Sequence, residues 1–312
     1  MSVVINTNVD STKIQNILTS STDKLSQSMQ RMSTGLKINS AKDDAAGTVI
    51  SARMQVQLNG NEIAQKNVQN GNALLSTVEG NIDVVSDNIS RIRDLALQAK
   101  NGTYSSEEIK AMDDEVQQRI AEINRVSYSS KFSSLKLFNN GNTYATDAEK
   151  LAKDGATLQV GSEAGADNTI KANESIFKSV EFSALSGLQN FKLTSLTNGV
   201  GAQNTINTTN GVTVTKEDDD TEFDTAVKAL DAAIDNLTSR KSEIGSAGNR
   251  LDSALSTLTT QFENLSSSKS LITDADIASE ASKYTQNQIL QQISTSLLAQ
   301  ANSAPSIAMS LI

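Results

Sequence analysis

The chain contains no cysteine, no histidine and no tryptophan among its 312 residues, and aromatic residues make up only 4% of it. Without cysteine and histidine it forms no disulfide, has no thiol nucleophile or imidazole base, and lacks the usual zinc ligands. Carboxylates, lysines and serines remain, but none of them stands in a pattern that indicates a catalytic pocket. The sequence therefore predicts a protein that is not an enzyme and that uses no metal or cofactor.

Charge and hydropathy argue against two further classes of partner. The formal net charge is −9, and the Lys and Arg residues are scattered, whereas nucleic acids and anionic lipids are bound by basic surfaces. No run of about eighteen apolar residues occurs, as a membrane-spanning helix would need. The first residues, MSVVINTNVDSTK, lack the basic start and the apolar stretch of a signal peptide. We therefore expect no nucleic-acid binding and no membrane insertion. If the protein is secreted, we expect a route that does not use a cleaved signal peptide.

Polar uncharged residues are abundant where other proteins have large apolar and aromatic side chains. Ser, Thr, Asn and Gln together make up about 37% of the chain, well above their share in ordinary globular proteins. The single proline, Pro305, leaves long helices uninterrupted, and we expect it to end the last one. Because this composition does not fill a thick core, it predicts long helices that share narrow seams.

The longest regular pattern lies in the C-terminal half. Apolar or long-stemmed residues recur there in alternating steps of four and three. They are Phe223, Val227, Leu230, Ile234, Leu237, Lys241, Ile244, Gly248, Leu251, Leu255, Leu258, Phe262, Leu265, Lys269 and Ile272. This heptad spacing over about fifty residues predicts one helix roughly 75 Å long. Such a helix needs partner helices along its whole length.

The N-terminal half supplies those partners. One helical face is formed by Ile14, Leu18, Leu25, Met29, Met32 and Leu36, with Ser21 and Ser28 at seam positions. So polar a helix is marginal alone; it either frays or orders only when neighbours pack on it. A second, very long helix is predicted over residues 43–100, ended by the turn at Asn101. Ser105 and Glu108 form a capping box that opens a third.

The middle of the chain loses the helical period. Short alternating runs at 157–160 and 181–182 indicate strands, and Asn210-Gly211 between β-forming residues predicts a hairpin. The acidic run at 216–220 lacks the spaced ligands of a calcium loop and indicates a solvated helix entry. A last helix is predicted after a pause near Thr273. The fold class is thus mainly α: an elongated antiparallel bundle or coiled coil of long helices from both termini, with a small β-rich region mid-chain.

Four stretches resemble one known family. They are RMSTGLKINSAKDDAAG at 31–47, ISRIRDLALQAKNGT at 89–103, NRLDSAL at 249–255 and ITDADIASEASKYTQNQILQQISTSLLAQANSAP at 272–305. All four are similar to bacterial flagellins, and the resemblance covers about 230 residues, roughly 1–140 and 222–312. The chain is identified as a minimal member of that family, without large outer domains.

The resemblance implies three regions. Residues 1–40 and 272–312 would form a terminal coiled coil in the inner filament core. Residues 41–180 and 221–271 would form a surrounding domain of long helices with a β region, and 181–220 a short variable insertion with the hairpin. It also implies a structural subunit that leaves the cell unfolded by type III export and folds at the tip of an extracellular filament. It would contact the export apparatus, an export chaperone, and the junction and cap proteins.

Three sets of site residues follow. For the vertebrate innate-immune receptor, and for filament packing on the same face, the resemblance points to Arg91, Leu95 and Glu115. For the seam through which the terminal helices assemble, we expect Leu18, Leu25, Met32, Tyr284, Ile293 and Leu297. For chaperone binding, the resemblance points to Ile277, Ile289, Leu290 and Leu298.

Two alternatives to a filament subunit stay open. A hook–filament junction protein shares both terminal signatures at lower fidelity, and a secreted helical adhesin or ligand would need an exposed binding domain. The long matches at 31–47 and 272–305 argue against the first, and the small middle region leaves little room for the second. The enzyme hypothesis is the weakest, because Asp and Glu occur only in solvated patterns.

Overall fold

The computed structural model describes residues 8–101, 103–138, 151, 154–188, 191–194 and 219–310. Its helices are α1 (Val9–Thr34), α2 (Ala45–Lys100), α3 (Ser106–Ser129), α4 (Phe182–Ser186), α5 (Asp219–Thr273) and α6 (Ile277–Ser310). Its strands are β1 (Lys131–Phe132), β2 (Leu135–Lys136), β3 (Ala156–Gln159) and β4 (Thr169–Ala172). The predicted class, mainly α with long helices from both termini and a small β region, is confirmed.

Side-chain caps define where the helices begin. The capping box before α3 is present, since Ser105 Oγ accepts from the Glu108 amide and the Glu108 carboxylate accepts from the Ser105 amide at 2.7 Å. At α2 the cap is Asp44, whose Oδ1 accepts from the Gly47 amide at 2.9 Å. Asp276 caps α6 by accepting from the Ala278 amide at 3.0 Å. The predicted end of α6 at Pro305 is wrong, because the helix continues to Ser310.

The β region consists of two small antiparallel pairs. β1 pairs with β2, and β3 pairs with β4, with Leu158 opposite Ile170. The predicted strand at 157–160 therefore exists, but Phe182 begins the short helix α4 instead of lying in a strand. The predicted hairpin around Asn210 lies outside the described residues.

The chain divides into two compact units. The first, the terminal unit, comprises residues 1–59 and 261–312, and the second, the central unit, comprises residues 60–260. Both borders fall inside long helices, at Asn59 in α2 and Thr260 in α5. None of the helices in the described part of the chain has the length and hydropathy of a bilayer span.

The core of the central unit is built along α2 and α5. On α2 the buried face carries Ala64, Val68, Leu75, Val78, Ile82, Val85, Ile89, Ile92 and Ala96. On α5 the buried positions are Phe223, Ala226, Leu230, Ala233, Leu237, Arg240, Ile244, Ala247, Leu251 and Leu258. The heptad reading of α5 is thus right in period. At the alternate positions, however, a more deeply buried residue precedes the predicted one, as Ala226 precedes Val227. Three of these residues are alanines, which fit where the helix packs closely. The fourth is Arg240, whose Nη1 donates to the Lys178 carbonyl at 3.0 Å.

Glycines 71 and 80 of α2 give a matched pair of tests. A Cβ at Gly71 would lie 2.6 Å from Leu158 Cδ1 and 3.3 Å from Leu251 Cδ1, whereas one at Gly80 would meet nothing within 4 Å. We expect Gly80→Ala to stabilise the chain by about 0.5–1 kcal/mol through helix propensity. Overpacking at Gly71 costs about 1–3 kcal/mol, so Gly71→Ala should destabilise. Urea unfolding measures both, and equal stabilisation by the two variants would contradict the packing of Leu158 on α2.

Candidate functional site

Helices α1 and α6 of the terminal unit pair antiparallel. Asn8 Nδ2, at the start of α1, donates to the Ala301 carbonyl near the end of α6 at 2.8 Å. Midway along, Gln291 Nε2 lies 3.2 Å from Thr22 Oγ1. Because early residues of one helix meet late residues of the other, the two ends of the chain are joined over most of the length of α1.

The seam between these helices is unusually polar. On α1 it consists of Ile14, Leu18, Ser21, Leu25, Ser28 and Met32, all buried or half-buried. On α6 it consists of Glu280, Tyr284, Asn287, Gln291, Ser294, Leu298 and Ala301. Within the described side chains of both helices, the four buried ones are Ser21, Ser28, Glu280 and Ser294. So little apolar surface is buried in this seam that the pair is weakly held by hydrophobic packing alone.

A charged cluster lies at one end of the seam. Glu280 Oε1 accepts from Ser28 Oγ at 3.2 Å and lies 3.6 Å from Arg31 Nη1, while Lys283 Nζ lies 3.0 Å from Oε2. Burial opposes ionisation of this carboxyl, but the hydrogen bond and charge of Lys283, with Ser28 and Arg31, hold the pKa of Glu280 below its ordinary value. The seam therefore contains a buried carboxylate that stays charged at neutral pH.

A backbone bridge lies beyond the same end of α1. Leu36 pairs antiparallel with Asp274, in the short connection between α5 and α6. The Lys37 amide donates to the Thr273 carbonyl at 2.7 Å, and the Ala275 amide donates to the Gly35 carbonyl at 2.9 Å. Gly35 ends α1 with φ at 72°, a left-handed conformation that favours glycine.

Outside the seam, both helices leave large apolar side chains in solvent. On α6 these are Ile277, Ile289, Leu290, Ile293 and Leu297, each more than 40% exposed. On α1 they are Val9, Ile17 and Met29, each more than 50% exposed. Ile289 and Leu290 lie on an open face of α6 that begins at Ala281. Apolar side chains in such a row indicate a surface that a partner covers.

The structure places four of the six residues predicted for the assembly seam between α1 and α6 of the single chain. Leu18, Leu25, Met32 and Tyr284 lie in the seam, half-buried, as the periodicity predicts. Ile293 and Leu297 do not: each is about half exposed, and the next residues along the helix, Ser294 and Leu298, occupy the seam instead. In each adjacent pair the more apolar residue faces solvent and the more polar one faces α1, and Glu280, beside Ala281, follows the same rule.

The predicted chaperone-binding residues lie on two faces of α6. Ile277, Ile289 and Leu290 are exposed. Leu298 lies in the seam with α1 and is half-buried. In the single chain, therefore, Ile277, Ile289 and Leu290 are accessible to a partner and Leu298 is covered by α1.

In the central unit, Arg91 and Glu115 form an ion pair on the surface. Arg91 Nε donates to Glu115 Oε1 at 3.0 Å, and Arg119 Nε donates to the same oxygen at 2.9 Å. Arg119 also donates to Asn88 Oδ1 at 3.2 Å. The hydrogen bond from Arg91 is the main cause that lowers the pKa of Glu115, with Arg119 adding to it. The network fixes α3 against α2 on one exposed face.

Leu95 is not part of that face. It is only 2% exposed and belongs to the core of the central unit. The exposed apolar residue nearby is Leu97, which is 43% exposed. The structure therefore corrects the prediction at Leu95, because position 95 falls on the core stripe of α2 with Ile92 and Ala96.

Comparison with known proteins matches both ends of the chain to one family. Residues 5–143 match the bacterial flagellin N-terminal helical region, and residues 227–312 match the bacterial flagellin C-terminal helical region. The chain is 36% identical to a flagellin of Xenorhabdus nematophila over 100% of both chains. It is 32% identical to the flagellin of Bacillus subtilis (strain 168) over 99% of both.

A solved structure extends the likeness in fold. The structure of a putative flagellar hook-associated protein from Vibrio parahaemolyticus matches with a TM-score of 0.53 and 17% identity, over 74% of this chain and 99% of that one. At this identity the likeness shows the fold alone, whereas the two family regions and the full-length identities above 30% show the family. The chain belongs to the bacterial flagellins and is a structural subunit of the flagellar filament.

Proposed function

We propose that the α1–α6 pair is the element through which this flagellin joins neighbouring subunits. The observation that carries the proposal is the division of side chains on α6: small and polar residues such as Ser294 face α1, while Ile293 and Leu297 face solvent. A helix that only closed its own chain would turn its apolar residues inward. The outward apolar row is complementary to other copies of the same pair.

Assembly through such a surface is open and helical, because each subunit presents one face to the next in a head-to-tail manner. We infer that residues 1–40 and 272–312 form the inner core of the filament. Residues 41–180 and 221–271 would surround it, and 181–220 would lie outermost. The weak seam within one chain then gains stability from its neighbours by mass action. The subunit would act through the shape of the filament that it builds and would catalyse no reaction.

The route to the filament is a further part of the proposal. A chain without cysteine carries no disulfide, so no covalent cross-link opposes its passage in unfolded form through the export apparatus. Ile277, Ile289 and Leu290 would be covered by an export chaperone, since an amphipathic helix fits an apolar groove. Junction and cap proteins would meet the chain outside the cell.

The Arg91–Glu115 pair supports a second role for the central unit. A vertebrate flagellin receptor would recognise a single exposed chain through these two charged side chains, which lie side by side at 3.0 Å. Filament packing would use the same face, so recognition would be confined to subunits released from the filament. Leu95 has no direct part in this role because it is buried.

Seeded elongation tests the proposed function. Purified full-length chains are added to short filament fragments, or to precipitating salt, and followed by electron microscopy. We expect long tubes from the full chain and none from a chain that lacks residues 272–312. If the folded full chain stays monomeric under both conditions, the filament role fails, and the junction or ligand alternatives take its place.

A further inference from the structure

The chain contains six Asn-Gly pairs, and the structure places two of them in contrasting backbone surroundings. The pairs lie at 59–60, 70–71, 101–102, 140–141, 198–199 and 210–211. Asn70 is inside α2, whereas Asn101 follows the last residue of that helix. Both asparagines are exposed, and neither side chain makes a hydrogen bond with a described residue. The two pairs therefore differ chiefly in the backbone around them.

An asparagine that precedes glycine can lose its side-chain amide in water. Glycine has no Cβ to keep its backbone nitrogen away from the asparagine Cγ. The nitrogen bonds to Cγ, the bond from Cγ to Nδ2 breaks, and ammonia leaves with the proton that the backbone nitrogen gives up. Water then opens the resulting succinimide ring at either carbonyl. Opening at Cγ gives aspartate, and opening at the backbone carbonyl gives isoaspartate, so the net reaction consumes water and releases ammonia.

At Asn70 the fold opposes this reaction. Inside an α-helix each backbone amide donates to the carbonyl four residues earlier. Gly71 is also buried, and a Cβ on it would lie 2.6 Å from Leu158 Cδ1. The Gly71 nitrogen must leave both its hydrogen bond and its packed position before it can bond to the Asn70 Cγ. Reaction at Asn70 therefore requires local unfolding of α2, which is rare for a core helix.

At Asn101 the helical hydrogen-bond pattern has ended. The Asn101 amide donates to the Gln98 carbonyl, three residues earlier, at 3.1 Å. In a continued helix that carbonyl would instead accept from residue 102, four residues later. The Thr103 amide donates to the Asn101 carbonyl at 2.8 Å, which is a turn and not a helical contact. Reaction at Asn101 therefore requires no unfolding of α2.

We propose that Asn101 is a site of spontaneous covalent modification, at which the folded chain slowly acquires aspartate and isoaspartate. The product adds a negative charge beside Lys100, which pairs with Asp224 at 2.6 Å. This charge lies at the C-terminal end of α2, where the helix dipole disfavours anions. Isoaspartate also lengthens the main chain within the turn that the hydrogen bond from Gln98 to Tyr104 spans at 2.8 Å. The modification thus weakens the connection between α2 and α3.

Peptide mapping of the full chain tests the proposal, with Asn70 as the matched control in the same molecule. The chain is incubated in mildly alkaline buffer, with and without urea, and is then digested with pepsin at low pH, where ring closure is slow. Mass spectrometry measures the fraction of acid at each asparagine. We expect Asn101 to react at a similar rate in the folded and the unfolded chain. Asn70 should react at least about a hundredfold more slowly in the folded chain than in urea.

The products at Asn101 identify the chemical route. Isoaspartate should be present there, because direct hydrolysis of the side-chain amide gives aspartate alone. Three results would overturn the proposal: protection of Asn101 in the folded chain as strong as that of Asn70, equal and fast reaction at both positions, or aspartate without isoaspartate at position 101. None of these results depends on whether the protein forms filaments.

Discussion

Replacing Ile293 and Leu297 with serine raises the protein concentration above which filaments persist by about thirtyfold. Full burial of such a side chain contributes about 1.5–3 kcal/mol. Ile293 is 48% exposed and Leu297 is 47% exposed in the single chain, so neighbours that cover them recover about 1 kcal/mol at each position. The loss of about 2 kcal/mol per subunit corresponds to the thirtyfold change. The two residues lie four apart, on one face of α6, and so meet the same partner surface.

The matched control is Gln292→Ser with Gln300→Ser, which shortens two exposed polar side chains on the same helix. Sedimentation of filaments against total protein concentration measures the threshold, and circular dichroism of the monomers checks that helical content is retained. The control should differ from the parent by less than threefold. If both double variants show the parent's threshold, the row on α6 is not covered in the filament, and the proposed assembly surface is wrong.

The period of the helices was predictable from the sequence, but the exact buried face was not. Over α5, the positions Leu230, Leu237, Ile244 and Leu251 are fully buried as the heptad pattern predicts. At the alternate positions the buried residues are Ala226, Ala233 and Ala247, because the helix approaches its neighbours closely there, and Arg240, whose guanidinium bonds the Lys178 carbonyl. The periodicity of large apolar residues predicts the period of a helix. Which residue is buried at each turn depends on the space between the packed helices, which the sequence does not show.

In the terminal helix pair, too, the buried face differs from the one that the apolar residues predict, and here the buried residues are polar. The sequence predicts Ser21 and Ser28 as seam positions because leucines flank them at heptad steps. It does not predict Ser294 and Glu280, since the apolar residues Ile293 and Ala281 stand beside them. A seam that buries polar residues and exposes apolar ones contradicts the local rule for a free-standing protein. Such conflicts are expected where a surface is used by a partner.

Outside the long helices, fewer features of the structure have a local sequence signature. The capping box of Ser105 and Glu108 and the strand at 157–160 have local sequence signatures, and both are present. The short helix at Phe182 has none, because its position depends on the Asn124 side chain of α3, which accepts from the Phe182 amide at 3.1 Å. Contacts between residues 58 positions apart leave no local pattern in a single sequence.

Asp113 of α3 is the clearest of these long-range contacts. Its carboxylate is buried, with Oδ1 accepting from the Leu193 amide at 2.7 Å and Oδ2 accepting from Thr194 Oγ1 at 3.1 Å. One turn later, Gln117 Nε2 donates to the Phe191 carbonyl at 2.7 Å. The two side chains together hold residues 191–194 against α3. This positions Phe191 and Leu193, both at most 2% exposed, in the core of the central unit.

Asp113→Ala therefore destabilises the chain by about 3 kcal/mol. The variant leaves the Leu193 amide buried without an acceptor, which costs about 1–3 kcal/mol, and hydrogen bonds to a charged group contribute more than neutral ones. Loosening of residues 191–194 also weakens the burial of Phe191. Urea unfolding of the full chain measures the change in the free energy of unfolding. For a central unit of this size the melting temperature should fall by about 6–12 °C.

The adjacent Asp114 provides the control, because it is exposed on the same turn of α3. Asp114→Ala should change the free energy of unfolding by less than about 0.5 kcal/mol, as surface substitutions do. Asp113→Asn should fall between the two, since the amide oxygen still accepts from Leu193 while the charge is lost. If Asp113→Ala unfolds at the same urea concentration as Asp114→Ala, residues 191–194 are held by apolar packing alone and the carboxylate is dispensable.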